Sequence, residues 1–136
     1  MFEYPVQVSP HLTDYAGVVW HGAYLRWLEE ARLQALQEVG LNYADLVALG
    51  CDLPVVQLDL KYLRSLTMGQ AGLVRSQILR REKVRLIWRQ VVYTQNPEQV
   101  ALEALVTLVP LDRTRKKVMR QLPAAFETKI LSLLSP

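Results

Sequence analysis

The long apolar helix predicted near the amino terminus is the feature that most constrains the fold of this chain. From about Ala23 to Val39, apolar residues recur at the spacing of an α-helix and cover a wide surface, which predicts a helix that is largely enclosed. Gly40 follows at the position where a left-handed residue often ends a helix. The remaining segments must therefore supply a cover for this helix.

Segments with the two-residue alternation of β-strands lie on both sides of this helix. The first runs from about Phe2 to Ser9, and Pro5 within it favours an edge position because proline donates no ladder hydrogen bond. Four more strands begin after Pro54 and near Leu73, Val84 and Val100. The short turns between these strands predict that they are antiparallel neighbours.

Two shorter helical segments complete the predicted elements, one over about Asn42–Gly50 and one over about Ala124–Leu134. A long helix followed by a run of antiparallel strands is typical of an α+β domain. We predict an antiparallel sheet wrapped around the long central helix, with residues 1–136 forming a single domain.

The composition is that of an ordinary globular protein. The 136 residues, 51% of them hydrophobic and 21% charged, are enough for one sizeable core. The amino-terminal residues have no basic and apolar signal segment, and no apolar run is long enough to span a bilayer. The single cysteine, Cys51, has no partner for an internal disulfide, which fits a reducing compartment. We expect a cytoplasmic protein without a membrane span.

The basic residues are grouped, although the net charge is only +3. One group lies between Arg75 and Arg89 and another between Arg113 and Arg120. Most of these side chains are expected to be solvated, and no stacking aromatics or recognisable module accompany them, which argues against nucleic-acid binding. A small phosphorylated ligand needs few of these charges and is the better functional interpretation.

The loop that directly precedes the long helix has the composition of an active site. Asp14, Gly17 and His21 lie close together in sequence, and the helix begins just after them. Unpaired N–H groups and the macrodipole at a helix amino terminus favour developing negative charge. The sequence therefore predicts a carboxylate beside a site that accepts negative charge.

The stretch from 14 to 32 resembles the signature of the 4-hydroxybenzoyl-CoA thioesterase family of hot-dog-fold proteins. The matching pattern is Asp14-x-Ala16-Gly17-Val18-Val19-x-His21-x-x-Tyr24-x-x-Trp27-x-Glu29-x-Ala31-Arg32. The resemblance is strongest to the branch of acyl-CoA thioesterases associated with the Tol–Pal system, and it extends along nearly the whole chain. The chain departs from the family at Leu12, at Ser65-Leu66 and at Gln70.

This resemblance implies an acyl-CoA thioesterase that hydrolyses an acyl or aryl thioester to the free acid and CoA. Asp14 is then the catalytic carboxylate, either as nucleophile or as general base, and the alternative is that it only caps a turn. Backbone groups of Gly17, His21 and Gly22 are expected to form the oxyanion site. The His21 side chain is a second catalytic candidate, with a role in holding the loop as the alternative.

Five side chains are candidates for substrate binding. Trp20 and Tyr24 are expected either to line an acyl pocket or to pack in the core or in a subunit contact. Arg81, Lys83 and Arg85 resemble in position a basic turn that meets the CoA nucleotide in some relatives. We predict no metal and no cofactor apart from CoA as part of the substrate.

Three further points follow from the same pattern. Apolar residues on both faces of a predicted strand, and the family resemblance, predict a homodimer or homotetramer. The competing functions are a non-catalytic module that binds acyl-CoA or acyl-carrier protein, and a thioesterase that acts on acyl-carrier-protein thioesters. Cys51 paired with a histidine is a conceivable nucleophile, but a buried structural thiol is the better interpretation.

Overall fold

The computed structural model describes residues 1–134. Its helices are α1 (Ala23–Glu38), α2 (Tyr43–Ala48) and α3 (Ala124–Ile130). Its strands are β1 (Phe2–Gln7), β2 (Cys51–Asp52), β3 (Val55–Tyr62), β4 (Ala71–Glu82), β5 (Arg85–Thr94), β6 (Val100–Leu108) and β7 (Leu111–Asp112). None of the helices in this part of the chain has the length and apolarity needed to cross a membrane.

Five of the strands form one antiparallel sheet in the order β1-β4-β5-β6-β3, and β2 pairs with β7 separately. Pro5 lies in an edge strand, as predicted. The prediction that consecutive strands are neighbours is confirmed for β4, β5 and β6 and is wrong for β3, which pairs with β6. Residues 63–70 are too long for a tight turn and carry the chain from one edge of the sheet towards the other.

Helix α1 packs on one face of the sheet and forms the middle of the core. Leu28, Ala31 and Ala35 are fully buried against inward-facing strand residues such as Trp88. Gly40 has a φ of +86°, which confirms the predicted left-handed position after the helix. The prediction of a largely enclosed helix is confirmed on the sheet side only, since two leucines of α1, Leu25 and Leu33, are exposed.

Strand β3 is an edge strand with exposed apolar side chains. Val56 is 49% exposed and Leu58 is 44% exposed, although they belong to the clearest alternating pattern in the sequence. Side chains of this kind are unusual on a free edge, where natural sheets are commonly protected by charges. A single copy of the chain therefore leaves an apolar edge uncovered.

The two shorter helices follow the predicted positions closely. Helix α2 begins with a capping box, in which the Asn42 side chain accepts from the Asp45 N–H and the Asp45 carboxylate accepts from the Asn42 N–H. Helix α3 buries Phe126 and Ile130 in the same core as α1 and ends in a single 3₁₀ turn. Lys129 of α3 donates to the Gly40 oxygen at 2.9 Å, so α3 lies at the carboxyl end of α1, where α2 also follows.

Candidate active site

The Asp14 loop is a narrow hairpin tip. Thr13 and Val19 form an antiparallel bridge, and within it the Asp14 N–H donates to the Val18 oxygen at 2.8 Å. Gly17 has a φ of +79°, and the position of a Cβ on it would contact no other atom. Glycine is therefore required there by its backbone conformation and not by a lack of space.

The Asp14 carboxylate is exposed and has one oxygen committed to the loop. Oδ1 accepts from the Ala16 N–H at 2.9 Å and from the Val18 N–H at 3.3 Å, as in an Asx turn. Within residues 1–134, no hydrogen bond is made to Oδ2. The turn-forming and catalytic interpretations of Asp14 are thus compatible, because they use different oxygens.

Three backbone hydrogen bonds hold this loop beside the start of α1. The Trp20 N–H donates to the Leu12 oxygen at 3.2 Å, and the Val19 N–H donates to the Leu66 oxygen at 2.9 Å. The Met68 N–H donates to the Gly17 oxygen at 2.9 Å. Two of the positions that depart from the family signature, Leu12 and Leu66, are therefore buried supports of the loop.

The first turn of α1 offers N–H groups that are unpaired within the described chain. The Ala23 N–H donates to the Trp20 oxygen and the Leu25 N–H donates to the Gly22 oxygen. No acceptor among residues 1–134 takes the N–H groups of His21, Gly22 or Tyr24. Such donors, with the macrodipole behind them, can stabilise an oxyanion.

Trp20 covers the helix start and explains why Gly22 is a glycine. A Cβ on Gly22 would lie 2.2 Å from the Trp20 ring, so only glycine allows the indole to pack there. The Trp20 ring also meets the His21 imidazole edge to face, with 5.5 Å between the ring centroids. The exposed indole and imidazole thus border the unpaired N–H groups.

Two tyrosines form the other wall of this opening. The Tyr62 hydroxyl donates to the His21 oxygen at 2.7 Å, and its ring contacts the Tyr24 ring edge to face. Tyr24 is buried, and burial raises the pKa of its phenol. A groove of about 400 Å³ lies here, lined by Val19, His21, Tyr24, Tyr62, Leu63, Arg64 and Ser65.

A second groove, of about 490 Å³, runs along the same helix. Most of its lining is apolar, but α1 contributes Glu29 and Arg32 to it. Arg32 is only 8% exposed, and its Nη1 donates to Gln90 Oε1 at 2.9 Å. Burial lowers the pKa of the Arg32 guanidinium to about 10, so this group stays charged at neutral pH.

The family model of the thioesterase-like superfamily matches residues 8–131, which include both grooves and the Asp14 loop. The chain belongs to the thioesterase-like superfamily. The structure has the hot-dog fold of this superfamily, and the predictions of fold class and of the wider family are confirmed. The narrower resemblance to the Tol–Pal-associated branch stays a prediction.

Three relatives illustrate this membership. Synechocystis protein sll0410, which bears the name of an esterase, is 45% identical over 97% of this chain and 80% of its own length. The acyl-CoA thioester hydrolase YbgC of Escherichia coli O6:H1 is 25% identical, covering 93% of this chain and 96% of its own. The crystal structure of Slr0204, a 1,4-dihydroxy-2-naphthoyl-CoA thioesterase from Synechocystis, is 25% identical with a TM-score of 0.88, covering 97% and 96% of the two chains.

Within one chain, only some of the predicted site residues lie together. Trp20, His21, Gly22 and Tyr24 lie together at the start of α1, and the loop with Asp14 and Gly17 directly precedes them. The Gly17 N–H donates to the Asp14 backbone oxygen at 3.0 Å, so this predicted oxyanion donor is already paired within the loop. The basic turn with Arg81, Lys83 and Arg85 lies at the opposite end of β4 from the segment that contacts the Asp14 loop. Between Ala71 and Arg81 the strand extends over roughly 33 Å at about 3.3 Å per residue.

Two other expectations concern Arg81 and Cys51. Arg81 forms an ion pair with Glu127 of α3 and so has a structural partner. Cys51 is fully buried, and burial raises the pKa of its thiol, which is unfavourable for a nucleophile. In the part of the chain that the structure describes, no three His, Cys, Asp or Glu side chains are grouped as metal ligands.

Sequence reasoning missed the buried polar residues beside the second groove. Arg32 was visible only as the last position of the family pattern, and Gln90 lies in a strand whose apolar residues on both faces gave no indication of a polar contact. The sequence did contain one usable signal. A charged residue on an apolar helix and an amide within an apolar strand are each isolated polar groups, and two such groups can pair when both are buried. Their pairing depends on strand register, which the sequence pattern did not specify.

Proposed function

We propose that this protein is a thioesterase that hydrolyses acyl-CoA thioesters to the free acid and CoA. The observation that supports this most strongly is the free Oδ2 of Asp14, on a loop fixed beside the unpaired N–H groups of His21, Gly22 and Tyr24. A carboxylate beside an oxyanion site is what thioester hydrolysis requires. The names of YbgC and Slr0204 agree with this reaction.

In the proposed reaction, the thioester oxygen accepts hydrogen bonds from the unpaired N–H groups at the start of α1. Asp14 Oδ2 acts either by attacking the carbonyl carbon or by taking a proton from a water that attacks it. The tetrahedral intermediate then collapses, the carbon–sulfur bond breaks, and the CoA thiolate leaves and is protonated. Water supplies the oxygen of the free acid directly or, after attack by Asp14, by hydrolysis of an anhydride.

The His21 side chain is exposed at the edge of this site, next to Trp20. Its backbone oxygen is held by Tyr62, so the position of the residue does not depend on the imidazole. We assign the His21 N–H to the oxyanion site and the imidazole to the positioning of the thioester or of water.

We propose that the active unit is a homodimer formed through β3. Strand β3 is the last strand of the sheet, so its outer backbone groups can pair with a second strand, and the exposed Val56 and Leu58 offer apolar surface for packing. The second copy is also the source of the basic turn, Arg81 to Arg85, which lies far from Asp14 within one chain. Replacing Val56 by Lys is expected to give a monomer in sedimentation velocity and to raise the KM for acyl-CoA. A monomeric variant with unchanged KM would contradict the second copy's role.

The experiment that tests the reaction compares the wild type with Asp14→Asn in a thiol-release assay over aryl, short-chain and long-chain acyl-CoAs. Asparagine keeps an oxygen for the Asx turn but removes the charge, so kcat is expected to fall by about 10²- to 10⁴-fold. Circular dichroism is expected to show the same fold. Glu38→Gln, at the exposed far end of α1, is the matched control and should hydrolyse as the wild type does.

Two outcomes would overturn this proposal. Release of no thiol from any acyl-CoA by the wild type, with the thioesters bound intact, would show a non-catalytic binding module. Release of thiol only from acyl-carrier-protein thioesters would show that the acyl group is carried by that protein and not by CoA. Equal rates for Asp14→Asn and the wild type would remove Asp14 from the mechanism and leave the reaction itself standing.

A further inference from the structure

Arg32 is a buried charge without a carboxylate partner in the described chain. Its guanidinium makes one hydrogen bond, to Gln90, and no carboxylate oxygen among residues 1–134 lies within 4.0 Å of it. Removing a guanidinium from water is costly unless its donors are paired. The proposed mechanism makes no use of Arg32, so this side chain needs another explanation.

The position of Arg32 along α1 relates it to the proposed reaction site. Gly22, Leu25, Glu29 and Arg32 follow one another at spacings of three and four residues and therefore share one face of the helix. This face begins at the unpaired N–H groups and continues into the groove of about 490 Å³. Arg32 lies about 15 Å along the helix axis from Gly22, and its side chain points back towards the helix start, which leaves about 10 Å for an acyl group.

Gln90 holds the guanidinium in one orientation. The Gln90 Nε2 donates to Ser76 Oγ and to the Leu28 oxygen, both at 2.9 Å, so its Oε1 is directed towards Arg32. Ser76 and Gln90 are fully buried and directly paired across β4 and β5. A donor that is fixed in this way is preorganised to bind a ligand oxygen.

We propose that Arg32 is a specificity-determining residue that binds an oxygen at the far end of the substrate's acyl group. This inference rests on the proposed thioesterase function. The occupant of the groove is an acyl group about 10 Å long, the length of a chain of about eight carbons. It bears a hydroxyl or oxo oxygen at its distal end. Glu29 lines the same groove and provides an acceptor, so a hydroxyl can donate to Glu29 while it accepts from Arg32.

The chemistry of the groove disfavours two other acyl groups. A saturated chain would cover Arg32 and leave its remaining donors without an acceptor. A chain that ends in a carboxylate would pair with Arg32 but would meet the like charge of Glu29. Asp52 and Tyr43 also line the groove, and Asp52 adds a second negative charge that disfavours a distal carboxylate. The apolar part of the lining fits the methylene or ring carbons between the thioester and the distal oxygen, and includes Leu33, Leu36, Leu46, Leu53 and Leu108.

The test compares octanoyl-CoA with 8-hydroxyoctanoyl-CoA, which differ only in the distal oxygen. For the wild type, kcat/KM is expected to be at least tenfold higher for the hydroxylated substrate. Arg32→Met removes the charge at similar length and is expected to bring the ratio of the two kcat/KM values close to one. Arg26→Met, an exposed arginine on the same helix, is the matched control and should keep the wild-type ratio.

A second variant covers the possibility that Arg32→Met does not fold. Gln90→Glu supplies a carboxylate partner for Arg32, which satisfies its charge internally and is expected to lower the same ratio, although it loses the hydrogen bonds that the amide donates to Ser76 and Leu28. Circular dichroism and thermal melting check both variants. Calorimetric binding of the two intact thioesters gives the same comparison in a form that does not depend on hydrolysis.

The outcomes separate this inference from the proposed function. If the wild type hydrolyses neither thioester, the proposed function fails, and the calorimetric ratio alone decides the role of Arg32. If the wild type treats both equally in hydrolysis and in binding, or if folded Arg32→Met and Gln90→Glu keep the wild-type ratio, the inference is overturned. Dissociation of a wild-type dimer by Arg32→Met with an unchanged ratio would assign Arg32 to a subunit contact and would also overturn it.

Discussion

The two ends of the α1 face that carries Gly22 and Arg32 are built in opposite ways. At the helix start, the groups proposed to act on the thioester are exposed, and they come from one short stretch of sequence, Asp14 to Tyr24. Around Arg32, the polar groups are buried and come from α1, β4 and β5. We conclude that the reaction end can be altered with little effect on folding, whereas the Arg32 end is part of the core.

The largest expected effect on stability is at the buried end. Gln90→Leu removes the acceptor of the Arg32 guanidinium and two donated hydrogen bonds, and is expected to lower the free energy of unfolding by about 3 kcal/mol. Urea denaturation measures the change. Gln34→Leu, on the exposed side of α1, should change it by less than about 0.5 kcal/mol. A loss of less than about 1 kcal/mol for Gln90→Leu would remove the contrast between the two ends.

A smaller effect is expected at the hairpin tip of the reaction end. Gly17→Ala places a side chain at a φ of +79° without a steric clash and is expected to lower the free energy of unfolding by about 1 to 2 kcal/mol. Gly17→Asn is the matched comparison and should cost less, since asparagine adopts this conformation more readily. Equal losses for the two variants in urea denaturation would indicate that something other than the backbone conformation limits the loop.

The smallest effect is expected at the exposed imidazole. His21→Ala keeps the backbone oxygen that accepts from Tyr62 and is expected to change the free energy of unfolding by less than about 0.5 kcal/mol. The same urea series provides the measurement. A loss above about 1 kcal/mol would show that the imidazole holds the loop, which is the structural alternative to its proposed part in the reaction.

The same contrast explains which features could be predicted from the sequence. The helix, its left-handed end at Gly40 and the Asp14 loop depend on neighbours in sequence, and their patterns were sufficient. The position of β3 next to β6 was not predictable from alternation, because an alternating pattern does not specify the partner strand.

The contacts of Arg32 are even less predictable from a sequence pattern than the position of β3. Residue 90 faces residue 76 through the register of β4 with β5, and it faces residue 32 because α1 crosses that part of the sheet. Neither relation leaves a periodic signal. The exposed Leu25 and Leu33 are a related case, since a wide apolar surface predicts burial but not whether the same chain or another copy provides it.

Pro5 has a consequence for how far the sheet can extend. The Val8 N–H donates to the oxygen of Gln70, the residue before β4. Residue 5 is an odd number of positions away along the extended chain, so it faces the outer edge of the sheet, where proline offers no donor. Each copy therefore has one edge suited to strand addition, β3, and one that resists it. In the proposed dimer, pairing through β3 would consume both open edges at once, so that growth would stop at two copies and would not proceed to a fibre.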